Sequence, residues 1–161
     1  MKIGIISDSH DHTENIKKSI TILKDRKVDF VLHLGDYVNP ASVKLFKGIK
    51  LIGIFGNNDG DKYRLMNAFN EIGGEIKGDF YEIEADNIKI ACYHGTEPQL
   101  KDALIESNKY DVVLYGHTHE CVNKKIRNTL VLNPGTVHGF WEKATIIIFD
   151  TRTRKAKLVT L

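Results

Sequence analysis

Apolar positions come first in short unbroken runs. Ile3–Ile6, Phe30–Leu34 and Lys50–Phe55 each carry such a run, which predicts a strand buried on both faces. Between the runs the period changes. Residues 14–27 place Ile16, Ile20 and Leu23 at helical spacing, with Thr13 as the N-cap. Pro40 opens a short helix that sets Val43 and Phe46 on one side. Residues 61–72 group Leu65, Met66 and Phe69 on a further helix, which Gly73-Gly74 ends. Strand and helix thus alternate three times, a pattern that favours parallel, right-handed βαβ units.

The second half has a different rhythm. Tyr81–Glu84 and Ile88–Ile90 alternate apolar and polar residues around Asp86-Asn87, which predicts a hairpin. A helix is expected at 98–108 and a strand at Asp111–Tyr115. Strand-like pieces follow at 122–127, 129–132, 144–150 and 154–160. Arg152, Arg154, Lys155 and Lys157 read as charges on an edge strand, where they block pairing with another chain. The expectation is one α/β domain over residues 1–161, with two packed sheets, parallel-rich in its N-terminal half and antiparallel in its C-terminal half.

Composition narrows the class without naming it. A net charge of +2 and a pI near 8.4 are too mild for a nucleic-acid surface. Cys92 and Cys121, the two cysteines, have neither the number of a disulfide framework nor the spacing of a thiolate zinc site. No apolar stretch approaches membrane length, and the first one is too short for a signal sequence. A cytoplasmic address is expected.

The chemistry gathers after the strands. Asp8-Ser9-His10 follows the first, Gly35-Asp36 the second and Gly56-Asn57-Asn58-Asp59 the third. His94-Gly95 follows Ile88–Tyr93, and Gly116-His117-Thr118-His119 follows Val112–Tyr115. In α/β sheets, sites form at the carboxyl ends of strands, and glycine there lets backbones approach closely. Singly, each piece reads as a cap or a turn. Together they would bring two Asp, one Asn and four of the chain's seven His to one sheet edge. Turn chemistry has no need of so many imidazoles. A set of carboxylate, imidazole and amide without thiolate suits Mn, Fe, Ni, Co or Zn. Seven ligands exceed one ion and fit two, at the roughly 3.5–4 Å spacing of a two-metal hydrolytic site, with one carboxylate bridging.

The motifs D-x-H, G-D, G-N-x-[DE], H-G and G-H-x-H, in this order from Asp8 to about Gly135, resemble the calcineurin-like metallophosphoesterases, and among them the small single-domain phosphodiesterases. The resemblance implies a fold of two packed β-sheets flanked by helices. It implies one ion on Asp8, His10, Asp36 and His119, and another on Asp36, Asn57, His94 and His117, with Asp36 bridging. Mn stands first among the metals. It also implies a bridging hydroxide that attacks a small phosphodiester in line. Asn58 occupies a slot where many relatives carry histidine. An amide donates a hydrogen bond but gives up no proton near neutral pH, so diesters with good leaving groups are the expected substrates. Asn58 and Asp59 are the remaining catalytic candidates, Asp59 through orientation of a neighbouring group.

Other polar residues carry less. Asp11 and His12 read as solvated loop residues, and His33 as part of the packed sheet. His138 lies in a loop that the resemblance places near the site, and Tyr37 and Tyr115 either flank a pocket or pack. Two other functions compete. One is a protein-binding scaffold like the retromer subunit of similar fold, which would have little use for seven retained ligands. The other is a phosphomonoesterase or nuclease, weakened by Asn58 and by the lack of a basic groove. A homo-oligomer is compatible with the sequence.

Overall fold

The runs become strands, and alternation along them decides which layer each side chain joins. A computed structural model describes residues 1–161. The elements are β1 (Lys2–Ile6), α1 (Thr13–Asp25), β2 (Phe30–His33), α2 (Pro40–Lys44), β3 (Leu51–Gly53), α3 (Lys62–Ile72), β4 (Glu75–Ile76), β5 (Phe80–Ala85), β6 (Ile88–Tyr93), α4 (Pro98–Glu106), β7 (Val112–Leu114), β8 (Cys121–Ile126), β9 (Thr129–Pro134), β10 (Thr145–Asp150) and β11 (Lys155–Thr160). One sheet has the order β11-β10-β1-β2-β3-β4 and the other β5-β6-β7-β9-β8.

Ile3 and Ile5 of β1 point between the sheets, where they meet Leu32, Ile90, Leu114 and Phe149 in a shared core. Ile6, one residue on, faces the other way with Val31 and packs under α1 and α3 with Ile16, Leu23 and Phe69. Ala91, Val113 and Val131 do the same for the second sheet, beneath Ile105 of α4. Two inner faces and two helix-covered outer faces give four layers, the expected class. Each fully buried Ile or Leu in them contributes about 1.5–3 kcal/mol, so the central strands β1, β2, β3, β7 and β10 are mostly apolar, while the edge strands β5, β8 and β11 are mixed.

β1, β2, β3 and β4 run parallel, as the strand–helix alternation predicts. β10 and β11 then add antiparallel to the far edge, so the basic strand is indeed an edge. The expectation of an antiparallel C-terminal half holds for β10, β11 and the edges of the second sheet, but not for its centre. β6, β7 and β9 are parallel, and only β5 and β8 pair antiparallel, at the two edges of that sheet. The reason is α4, which carries the chain back over the sheet between β6 and β7 as a further βαβ crossover.

Boundaries shift in small ways. The N-cap of α1 is His12, whose Nδ1 accepts from the Asn15 amide at 3.2 Å, and not Thr13. Asp11 at φ 59° turns the chain one residue earlier than the Thr13 reading requires. The two-residue β4 was not legible, being too short to show a period. No helix is long and apolar enough to cross a membrane.

Candidate metal centre

Parallel neighbours β1, β2 and β3 end at one edge, and so do β6 and β7 of the facing sheet. The loops after them are tied directly together. Asp8 N donates to Gly35 O at 3.1 Å and His10 N to Asp36 O at 3.1 Å. Gly116 N donates to His94 O at 2.8 Å, and His117 N reaches across to Asp8 Oδ2 at 3.0 Å. Two glycines permit this closeness. A Cβ on Gly56 would stand 2.2 Å from Asp36 Oδ1, and one on Gly116 would stand 2.7 Å from Asp8 Oδ2. Five of the seven predicted ligands, Asp8, His10, Asp36, His117 and His119, have φ between 38° and 64°. Left-handed backbone costs non-glycine residues about 1–2 kcal/mol each, and such strain gathers where function requires a geometry.

The side chains converge accordingly. Asp8, His10 and His119 present their ligand atoms within 4.8 Å of one another, and so do Asp8, Asp36 and His94. Asp36 Oδ2 stands 3.6 Å from His10 Nε2 and 3.4 Å from His94 Nε2. Asp8 Oδ1 stands 3.3 Å from His119 Nε2 and 4.0 Å from His94 Nε2. Both carboxylates therefore lie between the two groups of imidazoles. Asn57 Oδ1 and His94 Nε2 are 3.1 Å apart, close to the ~3 Å between neighbouring ligand atoms bound at ~2.1 Å around one cation. The His117 ring stands edge-on to that of His94, centroids 5.2 Å apart.

Two atoms test whether a cation fits. Asp8 Oδ1 and His10 Nε2 are buried and have no hydrogen-bond partner. Buried polar atoms are rarely left so, and these two face each other at 3.8 Å. A divalent cation is the partner that a carboxylate oxygen and an imidazole nitrogen share. The electrostatics agree. Burial raises the Asp8 pKa, but His10, His119 and His94 outweigh it and hold the carboxyl well below the usual range. Burial likewise opposes ionisation of Asp36, and His94 and Asn58 reverse that. Burial would lower the His94 pKa, yet Asp36 and Asp8 lift it.

Asn58 and Asp59 occupy different places. Asn58 is exposed and clasps Asp36, its backbone N–H donating to Oδ1 at 2.8 Å and its Nδ2 to Oδ2 at 2.7 Å. Asp59 is buried beneath. Its Oδ2 accepts from Asp36 N and Gly56 N, and its Oδ1 from Tyr37 N and Val38 N, all at 2.7–3.0 Å. Asp59 thus staples the loop after β2 to the loop after β3. Burial pushes its carboxyl above the ordinary range, and the amides restrain that rise.

Four residues play parts that their local sequence does not announce. Asp11 is no free loop residue, because its Oδ1 accepts from Asn39 N and Ser42 Oγ at the head of α2. His33 is buried, accepts from Gly35 N through Nδ1, and meets Ser9 Oγ at 3.0 Å through Nε2. Burial drives its pKa down to about 3, so the ring is neutral. The only available signal was a histidine three residues before Asp36. His138 is held by its amide to Asp8 O at 3.1 Å, with its ring 6.1 Å from that of His10. Tyr37 is core, donating to His33 O at 3.1 Å.

Comparison with known proteins gives a consistent answer. A phosphodiesterase of Methanocaldococcus jannaschii is 40% identical over 165 residues, covering 100% of this chain and 99% of the relative. The solved structure of a novel archaeal phosphodiesterase superposes with a TM-score of 0.95 at 39% identity, covering both chains fully. Vps29 from Entamoeba histolytica shares the fold alone, with a TM-score of 0.74 at 16% identity over 100% of this chain and 99% of that one. The family model for the calcineurin-like phosphoesterase superfamily domain matches residues 1–154. With that match, and with a full-length relative at this identity, the chain belongs to the calcineurin-like phosphoesterase superfamily.

Proposed function

We propose that this chain is a phosphodiesterase that works with two divalent cations, Mn first among them. Asp8, His10, Asp36 and His119 hold one ion, and Asp36, Asn57, His94 and His117 hold the other. The observation that carries the reading is the pair of buried, unpartnered atoms, Asp8 Oδ1 and His10 Nε2, set beside the Asp36 carboxylate and the His94 and His119 imidazoles. Such ions lower the pKa of a water to near neutrality and neutralise phosphate oxygens.

The chain's own residues do the rest. Asp36 Oδ2, between His10 and His94, is placed to couple the two groups. Asp59 fixes the Asp36 backbone from below, which pre-orients the carboxylate. One Nδ2 hydrogen of exposed Asn58 is held by Asp36, and the second is a donor for a phosphate oxygen and not a proton source. Diesters with acidic leaving groups therefore suit the site. The unit is the whole of residues 1–161, and both cysteines are free, which suits the reducing cytoplasm.

The test is metal analysis of the protein reconstituted with Mn, followed by a screen of mono- and diesters with each metal added back. Two ions per chain and chelator-sensitive diesterase activity are expected. One ion or fewer, with activity surviving excess chelator, refutes the reading.

A further inference from the structure

The cavity at Asn57 and His94 does not stop at the candidate metal centre. It holds about 350 Å³, and Asp79, Tyr93 and Leu100 form one of its walls. The same three residues open a second cavity of about 520 Å³, within the size range of small-molecule sites. Tyr93 is the chain neighbour of His94, so the wall of the second cavity is covalently joined to the first.

The second cavity is walled by α4, by facing ends of β5 and β6, and by the segment that follows α4. α4 contributes Leu100, Ala103 and Leu104, and its C-cap adds Ser107, spaced i, i+3, i+4 and i+7 along one helical stripe. Ile105 is the residue of that helix buried in the core, and Leu104 packs partly against the same cluster. The stripe spans about 10 Å at 1.5 Å per residue. Opposite it lie Phe80, which pairs with Tyr93 across the β5–β6 ladder, and Tyr110, whose ring meets Phe80 edge-on at 6.5 Å. Leu100 is 56% exposed and Phe80 41% exposed, so the trough is open to an occupant. Tyr93 is fixed, because its hydroxyl accepts from Glu97 N at 3.0 Å. The charge at the junction is already matched, since Lys62 holds Asp79 at 2.7 Å.

We infer that this trough is the subsite for one ester arm of the phosphodiester, and that it selects a planar aromatic arm. The inference rests on the phosphodiesterase reading above. Continuity with the metal-side cavity argues for an arm of the substrate in preference to a separate ligand. Three aromatic walls with edge and face available favour a flat ring over an alkyl chain. Asp79 and Lys62 are paired where the two cavities meet, so the charges there already satisfy one another.

The test compares dimethyl phosphate with diphenyl phosphate, whose two arms are identical, by calorimetric binding to the Mn-loaded protein. Wild type is expected to bind diphenyl phosphate at least about 10-fold more tightly, the gain expected for partial burial of one ring. Ala103→Gln sets a polar group in the trough and Ala103→Trp fills it. The site is exposed on α4 and lines the trough alone, so the fold tolerates either change. Each should cut the preference below about threefold and leave dimethyl phosphate affinity unchanged. A preference that survives both substitutions, or is absent in wild type, overturns the inference. So does a wild-type dimer that Ala103→Trp dissociates in sedimentation with ligand preference intact, because the trough is then a self-association face. If no diester is turned over with any metal, the phosphodiesterase reading fails, while the binding ratio still reports on the trough.

Discussion

Asp59→Asn gives a sharp test of how the candidate site is held, because the two side chains have nearly the same shape. In the wild type, each carboxylate oxygen takes two amides: Oδ2 those of Asp36 and Gly56, Oδ1 those of Tyr37 and Val38. Asparagine has one oxygen and one NH₂ group. Whichever way the amide turns, two backbone N–H groups lose their acceptor and face another donor. A buried unsatisfied donor costs about 1–3 kcal/mol. Two such losses, partly offset by relief of burying a charge, give roughly 3 kcal/mol. With a urea slope near 2 kcal/mol/M, the midpoint should fall by about 1.5 M. The assay is urea unfolding in excess chelator at pH 7.5, followed by circular dichroism. Asp61→Asn serves as a control two residues away. Asp61 caps α3 through the Arg64 amide, and Asn caps about as well as Asp, so that change should stay within about 0.5 kcal/mol. Metal affinity should fall in Asp59→Asn as well, because the staple sets the loop that carries Asp36. If Asp59→Asn is as stable as Asp61→Asn, the staple contributes nothing and the reasoning is wrong.

Asp36→Ala should damage metal binding and activity more than His12→Ala or His138→Ala, by at least about 10²-fold in rate, since one residue serves both groups; equal damage from His12→Ala would sink the ligand assignment. Asn58→His should raise activity on diesters with poor leaving groups more than on aryl diesters, by up to about 10²-fold where the imidazole reaches the leaving oxygen; a plot of rate against leaving-group pKa that keeps the wild-type slope counts against this. His33 should make the stripped protein acid-sensitive. Its folded pKa is depressed to about 3 from 6.5, so its contribution is complete above pH 6.5 and is lost as pH falls towards 3. At pH 5 that loss is about 2 kcal/mol. Because the raised pKa values of His94 and His119 act in the opposite sense, the measurement is the stability gap between wild type and His33→Gln at pH 7 and pH 5. That gap should shrink by about 2 kcal/mol, and a constant gap refutes the assignment.

By itself, the sequence determined the layers and which polar residues stand at strand ends. Unbroken apolar runs such as Leu51–Phe55 can only be buried on both faces, and the polar residues straight after them have to fall at strand ends. The placement of Asp8, His10, Asp36, Asn57, His94, His117 and His119 just past strand ends was legible for that reason, and so was the charged edge strand at Lys155–Thr160. Tertiary structure alone decided which strands are neighbours, since β7 pairs with β9 across the intervening β8 and no local period records that. It also decided the role of Asp59. In the sequence Asp59 is one more turn residue, whereas in the fold its four donors come from loops up to 23 residues away. The trough beside α4 is of the same kind. Leu100, Ala103 and Leu104 read as an ordinary amphipathic stripe, and only the placement of Phe80, Tyr93 and Tyr110 opposite turns that stripe into a wall. Hydrophobic periodicity records which side of an element is dry. The identity of what lies across from it is a long-range contact, fixed when the sheets close.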